Sequence, residues 1–110
     1  MQYEYTDKQF TYEQKLYRLI LNIEKEPGLY IGEPSITKLF FFISGYGYAI
    51  IENQGYRLHF DKDFQMFINK KTQDTSEMHW NNLLCEGRTE QEAFHVFFSY
   101  FGEFLLSQKL

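Results

Sequence analysis

The last quarter of the chain constrains the fold most. From Thr89 onward, apolar residues fall at Ala93, Val96, Phe97, Tyr100, Phe101, Phe104 and Leu105. Spacing by threes and fours puts them on one face of a helix. Thr89 and Glu92 precede that face as a T-x-x-E capping box, in which each side chain accepts from the other's backbone N–H. An apolar stripe this wide must be covered by other elements.

The rest of the chain supplies them in the same period. Leu16, Leu19, Ile20 and Ile23 predict a helix over about 11–25, stopped by Glu26-Pro27-Gly28. A loop is expected over 27–34. Ser35 then caps a second helix with Ile36, Leu39, Phe40, Ile43, Gly47 and Ile50 on one face. This helix is apolar nearly all round, which predicts the central and most buried position. Gly45 and Gly47 leave open whether 39–51 is one continuous helix, and Leu39 to Ile43 also suits a strand. Asp61 or Asp63 caps a third helix holding Phe64, Phe67 and Ile68, followed by a polar turn over 70–74. Asp74 and Glu77 resemble a capping box for a fourth helix over about 75–85, with Gly87 as its C-terminal stop. The expected fold is all-α: a compact single-domain bundle of about five helices over 1–110, with 1–10 a loosely ordered N-terminal segment.

Aromatic residues sharpen this picture. Twelve Phe, nine Tyr and one Trp make up 20% of the 110 residues. The Phe rings suffice for a core, but nine Tyr hydroxyls cannot all be buried with partners. Some Tyr therefore lie at the surface, where amphipathic rings favour interfaces.

Charge limits the partners. The formal net charge is −4, and acids outnumber bases in both halves of the chain. A phosphate backbone is met by clustered Lys and Arg, so direct nucleic-acid binding and anionic membranes are disfavoured as functions. A basic protein partner suits the balance through complementary steering. Cys85 is the single cysteine, which rules out an internal disulfide and fits a reducing compartment. Residues 1–10 carry Glu4 and Asp7 and show no apolar signal region, and no stretch is long and apolar enough to span a membrane. A cytoplasmic location is expected.

No catalytic set stands out, and neither a cofactor nor a metal is expected. His59, Asp61 and Asp63 give H-x-D-x-D, which offers ligand atoms but matches no zinc spacing or calcium loop. Helix-capping carboxylates beside a surface histidine explain it as well. His79 and His95 sit among apolar neighbours and read as packed or edge residues. Cys85 follows Leu83 and Leu84 and reads as filler. Gly45-Tyr46-Gly47-Tyr48 has the glycine–aromatic order of an RNA-binding strand, but Ser44 replaces the leading base and the surroundings are acidic.

The stretch Glu26-Pro27-Gly28-Leu29-Tyr30-Ile31-Gly32-Glu33-Pro34-Ser35-Ile36, with Leu39 and Phe42-Ile43-Ser44-Gly45-Tyr46, carries a more specific signal. It resembles the P-G-[LM]-Y-[IL]-G turn and following helix of small bacterial immunity proteins from contact-dependent growth inhibition and related polymorphic toxin systems. Phe60 to Phe67, the Met78-His79-Trp80 to Leu83 segment, and Glu92-Ala93-Phe94 to Phe104 resemble later parts of the same pattern. Residues 47–60 hold few matching positions, so no partner-binding residue carries over there. The resemblance implies a non-enzymatic cytoplasmic protein, without cofactor, that neutralises one cognate toxin domain, often a nuclease.

An acidic domain with surface Tyr suits a basic nuclease. The candidate partner-binding residues are Tyr30, Glu33, Tyr46, Tyr48, Glu52, Tyr56, Asp61 and Asp63. A monomer is favoured. The competing reading is an adaptor or self-associating regulatory domain that uses the same Tyr-rich acidic surface.

Overall fold

The computed structural model describes residues 7–108. Six helices follow in order: α1 (Asp7–Lys25), α2 (Pro27–Tyr30), α3 (Ile36–Gln54), α4 (Phe60–Thr72), α5 (Trp80–Cys85) and α6 (Glu90–Gln108). Among the described residues there is no strand. The expected all-α domain is therefore present, with one helix more than the sequence suggested.

The extra helix is α2. Pro27 ends α1 but also fits the first turn of a new helix, where a missing N–H is harmless. Ile31 and Gly32 N–H both donate to the Pro27 carbonyl and close that turn, and Gly32 has φ +88°. The expected loop over 27–34 is thus a helical turn followed by a bend. The N-terminal expectation also shifts. Residues 1–6 lie outside the described residues, and helix begins at Asp7 rather than near Thr11.

α3 is one continuous helix through both glycines. Ser35 Oγ accepts from Lys38 N–H at its start, and Gly55 closes it at φ +67°. Its expected place at the centre of the bundle is not what the structure shows. Only Ile36, Leu39 and Ile43 are fully buried, and Phe41 and Tyr48 face outward. α6 takes the central role instead, burying Ala93, Phe94, Phe97, Phe98, Phe101 and Phe104. High apolar content could not separate the two, because α3 spends part of its apolar surface on an open face.

α4 starts at Phe60 with His59 at the cap position, so Asp61 and Asp63 fall in its first turn and do not cap it. Carboxylates are favourable there against the helix dipole. The helix runs through Lys70 and Lys71 to Thr72, and Gln73 ends it with φ +56°. The Asp74–Glu77 capping box does not form. Asp74 Oδ1 instead accepts from Ser76 N–H at 2.8 Å in a local turn, and α5 begins only at Trp80. Gln65, reaching over from α4, caps α5: its Oε1 accepts from Trp80 N–H at 2.6 Å. Gly87 follows the end of α5 with φ +70°. The capping box of α6 forms as expected, with Thr89 N–H on Glu92 Oε1 at 2.8 Å and Glu92 N–H on Thr89 Oγ1 at 3.0 Å.

The core is a continuous stack of rings from α4, α5 and α6. Trp80 is fully buried, meeting Phe64 edge-on at 5.3 Å and Phe97 at 5.2 Å. Phe60 stacks on Phe64 at 5.2 Å and meets Phe104 edge-on at 5.7 Å. Edge-to-face and stacked pairs each add to the burial of area alone. α1 closes the cluster with Leu16, Tyr17, Ile20 and Ile23, and α3 with its three buried residues. A carboxylate ties α3 to α6. Glu90 Oε1 accepts from Ser35 Oγ at 2.8 Å and Thr37 N–H at 2.9 Å, and Oε2 accepts from Thr37 Oγ1 at 2.8 Å. These bonds, led by the Thr37 N–H, hold the Glu90 carboxyl below its usual range.

Candidate functional site

α3 positions the most exposed aromatic surface of the described chain. With Ile36, Leu39 and Ile43 locked inward, the helical period turns Phe41, Ser44, Gly45, Tyr48, Ala49 and Glu52 outward. Phe41 and Tyr48 are each 65% exposed, far more than rings that serve only the fold. Beside Tyr48, a groove of about 280 Å³ runs between α3 and the segment that enters α4. Ile43, Ile51 and Leu58 give it an apolar floor, and Arg57 and Asp61 stand at its rim. Gly47 lies along it, opposite Leu58.

The eight expected partner-binding residues divide by what they touch. Tyr48 and Glu52 are exposed along this α3 face, and Asp61 lines the same groove. Glu33 is exposed near the start of α3 and pairs with Lys38. The other four are held largely inside the protein. Tyr30 is half-buried edge-on against Phe42 at 6.3 Å, and Tyr46 packs on the core. Tyr56 turns its hydroxyl inward to Glu13, and Asp63 is buried. Asp61 also supports the fold directly. Its Oδ1 accepts from Trp80 Nε1–H at 2.9 Å, and its Oδ2 lies 3.2 Å from His79 Nε2.

Glu13, which no sequence motif singles out, is a fully buried ionisable group. Its residue surface is 0% exposed. Oε2 accepts from Tyr56 Oη–H and from His59 N–H at 3.0 Å, whereas Oε1 has no hydrogen-bond partner among the described residues. Burial is the largest influence and pushes the carboxyl above its usual range. The Tyr56 and His59 bonds oppose that rise, and the Asp63 charge adds to it. A signal for its burial does exist in the chain: Glu13, Leu16, Tyr17 and Ile20 share the three-and-four spacing of the buried stripe.

Among the described residues, no group of three His, Cys, Asp or Glu side chains could hold a metal ion. His59, Asp61 and Asp63 act separately, toward Glu13, Trp80 and the interior. The Cys85 thiol is pushed up by burial and by neighbouring Glu90, the reverse of what activates a thiolate. A second cavity, about 630 Å³, lies between α4 and the end of α6, with Asp63, Phe67, Lys70, Lys71 and Phe104 in its wall. No helix among the described residues is long and apolar enough to cross a membrane.

The fold and this face define a six-helix all-α domain with an uncovered aromatic helix surface. Neither a known protein family, nor a curated protein, nor a solved structure gives a significant match to the chain.

Proposed function

We propose that the protein is an immunity protein that binds and neutralises a cognate bacterial toxin domain, a basic nuclease, in the cytoplasm and without catalysis of its own. The observation that carries the reading is the uncovered α3 face with its adjoining groove. Phe41 and Tyr48 are large rings left in water; Tyr48 adjoins a groove with apolar Ile51 and Leu58 and the carboxylate Asp61, and Glu52 is exposed on the same helix. Such a face suits a protein partner: aromatic anchors supply hold when desolvated, and rim charges speed encounter. The net charge of −4 favours a basic partner. The resemblance of residues 26–46 to immunity proteins supplies the kind of partner.

Co-expression with the C-terminal domain of a large secreted protein encoded next to this chain tests the reading. A stable complex together with restored growth supports it. Absence of both complex and rescue overturns it and leaves the self-associating adaptor as the better account. Within a complex, Glu52→Lys slows association with a basic toxin and leaves the fold intact, since Glu52 is exposed. An unchanged association rate, measured by surface plasmon resonance at low salt, removes Glu52 from the contact.

A further inference from the structure

The outward face of α3 is arranged symmetrically about its own middle. Lys38, Phe41, Gly45, Tyr48, Ala49 and Glu52 are all exposed and fall within about 100° of the helix circumference. Lys38 stands as far before Gly45 as Glu52 stands after it, about 10 Å along the axis in each direction. Phe41 and Tyr48 straddle the Ser44–Gly45 peptide in the same way, both on one flank of the face. Base and acid, ring and ring, are thus mirrored across centres half a residue apart.

Among the described residues, nothing calls for glycine at that point. A Cβ on Gly45 would meet no atom within 4 Å, and the residue is plainly helical. Glycine is the least favourable helix residue after proline. What it provides is a bare backbone that another backbone can approach closely. With Ser44 and Ala49 alongside, the centre of the face is low, and the two rings stand up beside it.

We propose that a second copy of the chain occupies this face, the two α3 helices packing antiparallel about a two-fold axis at Gly45. In such a contact, residue i meets j and j meets i. Phe41 of each copy packs on Tyr48 of the other, and Lys38 of each copy reaches Glu52 of the other. The charge pattern selects this occupant. A base at one end and an acid at the other are matched together by a helix bearing the same pair in reverse, which a copy turned by the two-fold supplies. Lys38 leaves an exposed pairing with Glu33 to do so, and exposed pairs are weak. The proposal goes beyond the toxin-binding reading and does not depend on it, although Tyr48 and Glu52 could serve only one partner at a time.

Sedimentation velocity on the full chain, from low to high micromolar concentration at low salt, tests this. The mass is expected to rise from 13.3 kDa toward twice that value, less so as salt is added. Gly45→Leu fills the crossing point and is expected to hold the protein at 13.3 kDa throughout, with unchanged helical circular dichroism because the added side chain meets open space. Lys38→Glu or Glu52→Lys alone is expected to weaken the dimer by roughly tenfold, since each places like charges together twice. The double variant restores opposite pairs and recovers most of that loss. A wild-type chain that stays at 13.3 kDa overturns the proposal. So does a dimer indifferent to Gly45→Leu, or a double variant no better than the single ones.

Discussion

Glu13→Gln is expected to stabilise the protein increasingly as pH rises. In the native protein, burial lifts the Glu13 carboxyl above its usual range, for which 4.5 is the reference value. A carboxyl whose folded value is raised contributes stability that is fully present below the unfolded value and is lost as pH climbs through the folded value. Above that window, folding either holds a proton on Glu13 or buries a carboxylate with Oε1 unpartnered. Glutamine removes the titration. Its amide oxygen can accept from Tyr56 Oη–H and His59 N–H, and its NH₂ carries no charge for burial or for Asp63 to oppose. An unsatisfied buried group costs about 1–3 kcal/mol. The variant should therefore match the wild type near about pH 4 and exceed it by about that amount near about pH 8. In thermal melts each kcal/mol corresponds to roughly 4 °C or a little more for a domain of this size. Melts of both proteins across that range cancel the contributions of all other acids. His59 is the neighbour to watch, because its electrostatic influence opposes the rise of the Glu13 carboxyl. A difference between the two proteins that stays constant with pH would refute the reasoning. Glu13→Ala separates charge from bonding: it deprives Tyr56 and His59 N–H of this acceptor and is expected to destabilise at every pH.

Three further outcomes follow from the geometry. Gly45→Ala, measured at dilute concentration, should raise stability by about 0.5–1 kcal/mol, because a Cβ there meets nothing and alanine is the better helix former; a loss in urea melts would contradict this. Asp61→Ala leaves the indole N–H of buried Trp80 without its acceptor and should cost about 1–3 kcal/mol, visible in urea melts with a change in tryptophan fluorescence. Glu90→Ala removes three accepted hydrogen bonds between the starts of α3 and α6 and should cost about 1–2 kcal/mol, reduced from a buried estimate because the group is exposed. Since the Glu90 carboxyl is held low, that contribution exists above the usual carboxylate range and fades as pH falls through the folded value, so wild type and variant should converge in acid.

Short-range signals along the chain define the helices but not their ranking. The Thr89–Glu92 box and the Phe spacing of α6 are local features, and the structure matches them to the residue. Ser35 and Gly55 bound α3 for the same reason. Expectations failed where a distant group decides the outcome. Asp74 and Glu77 look like a cap, yet the start of α5 is set by Gln65 from another helix. α3 looks central because its composition is apolar, yet burial depends on which neighbours cover it. The candidate surface behaved alike. Exposure of Tyr48 and Glu52 follows from helical phase, whereas the inward turn of Tyr56 depends on Glu13, 43 positions away.

The aromatic stack has a consequence for how the chain comes into being. Trp80, Phe60 and Phe64 find their rings' partners on Phe97, Phe101 and Phe104, and the start of α3 is held by Glu90. During synthesis, the chain up to about position 85 lacks the α6 rings that complete this stack. The stack is complete only when α6 has been made. Until then those rings lack part of their cover, the kind of exposed apolar surface on which nascent chains aggregate or meet chaperones. Slowing translation after α5 would lengthen that vulnerable interval without altering a single contact of the finished molecule.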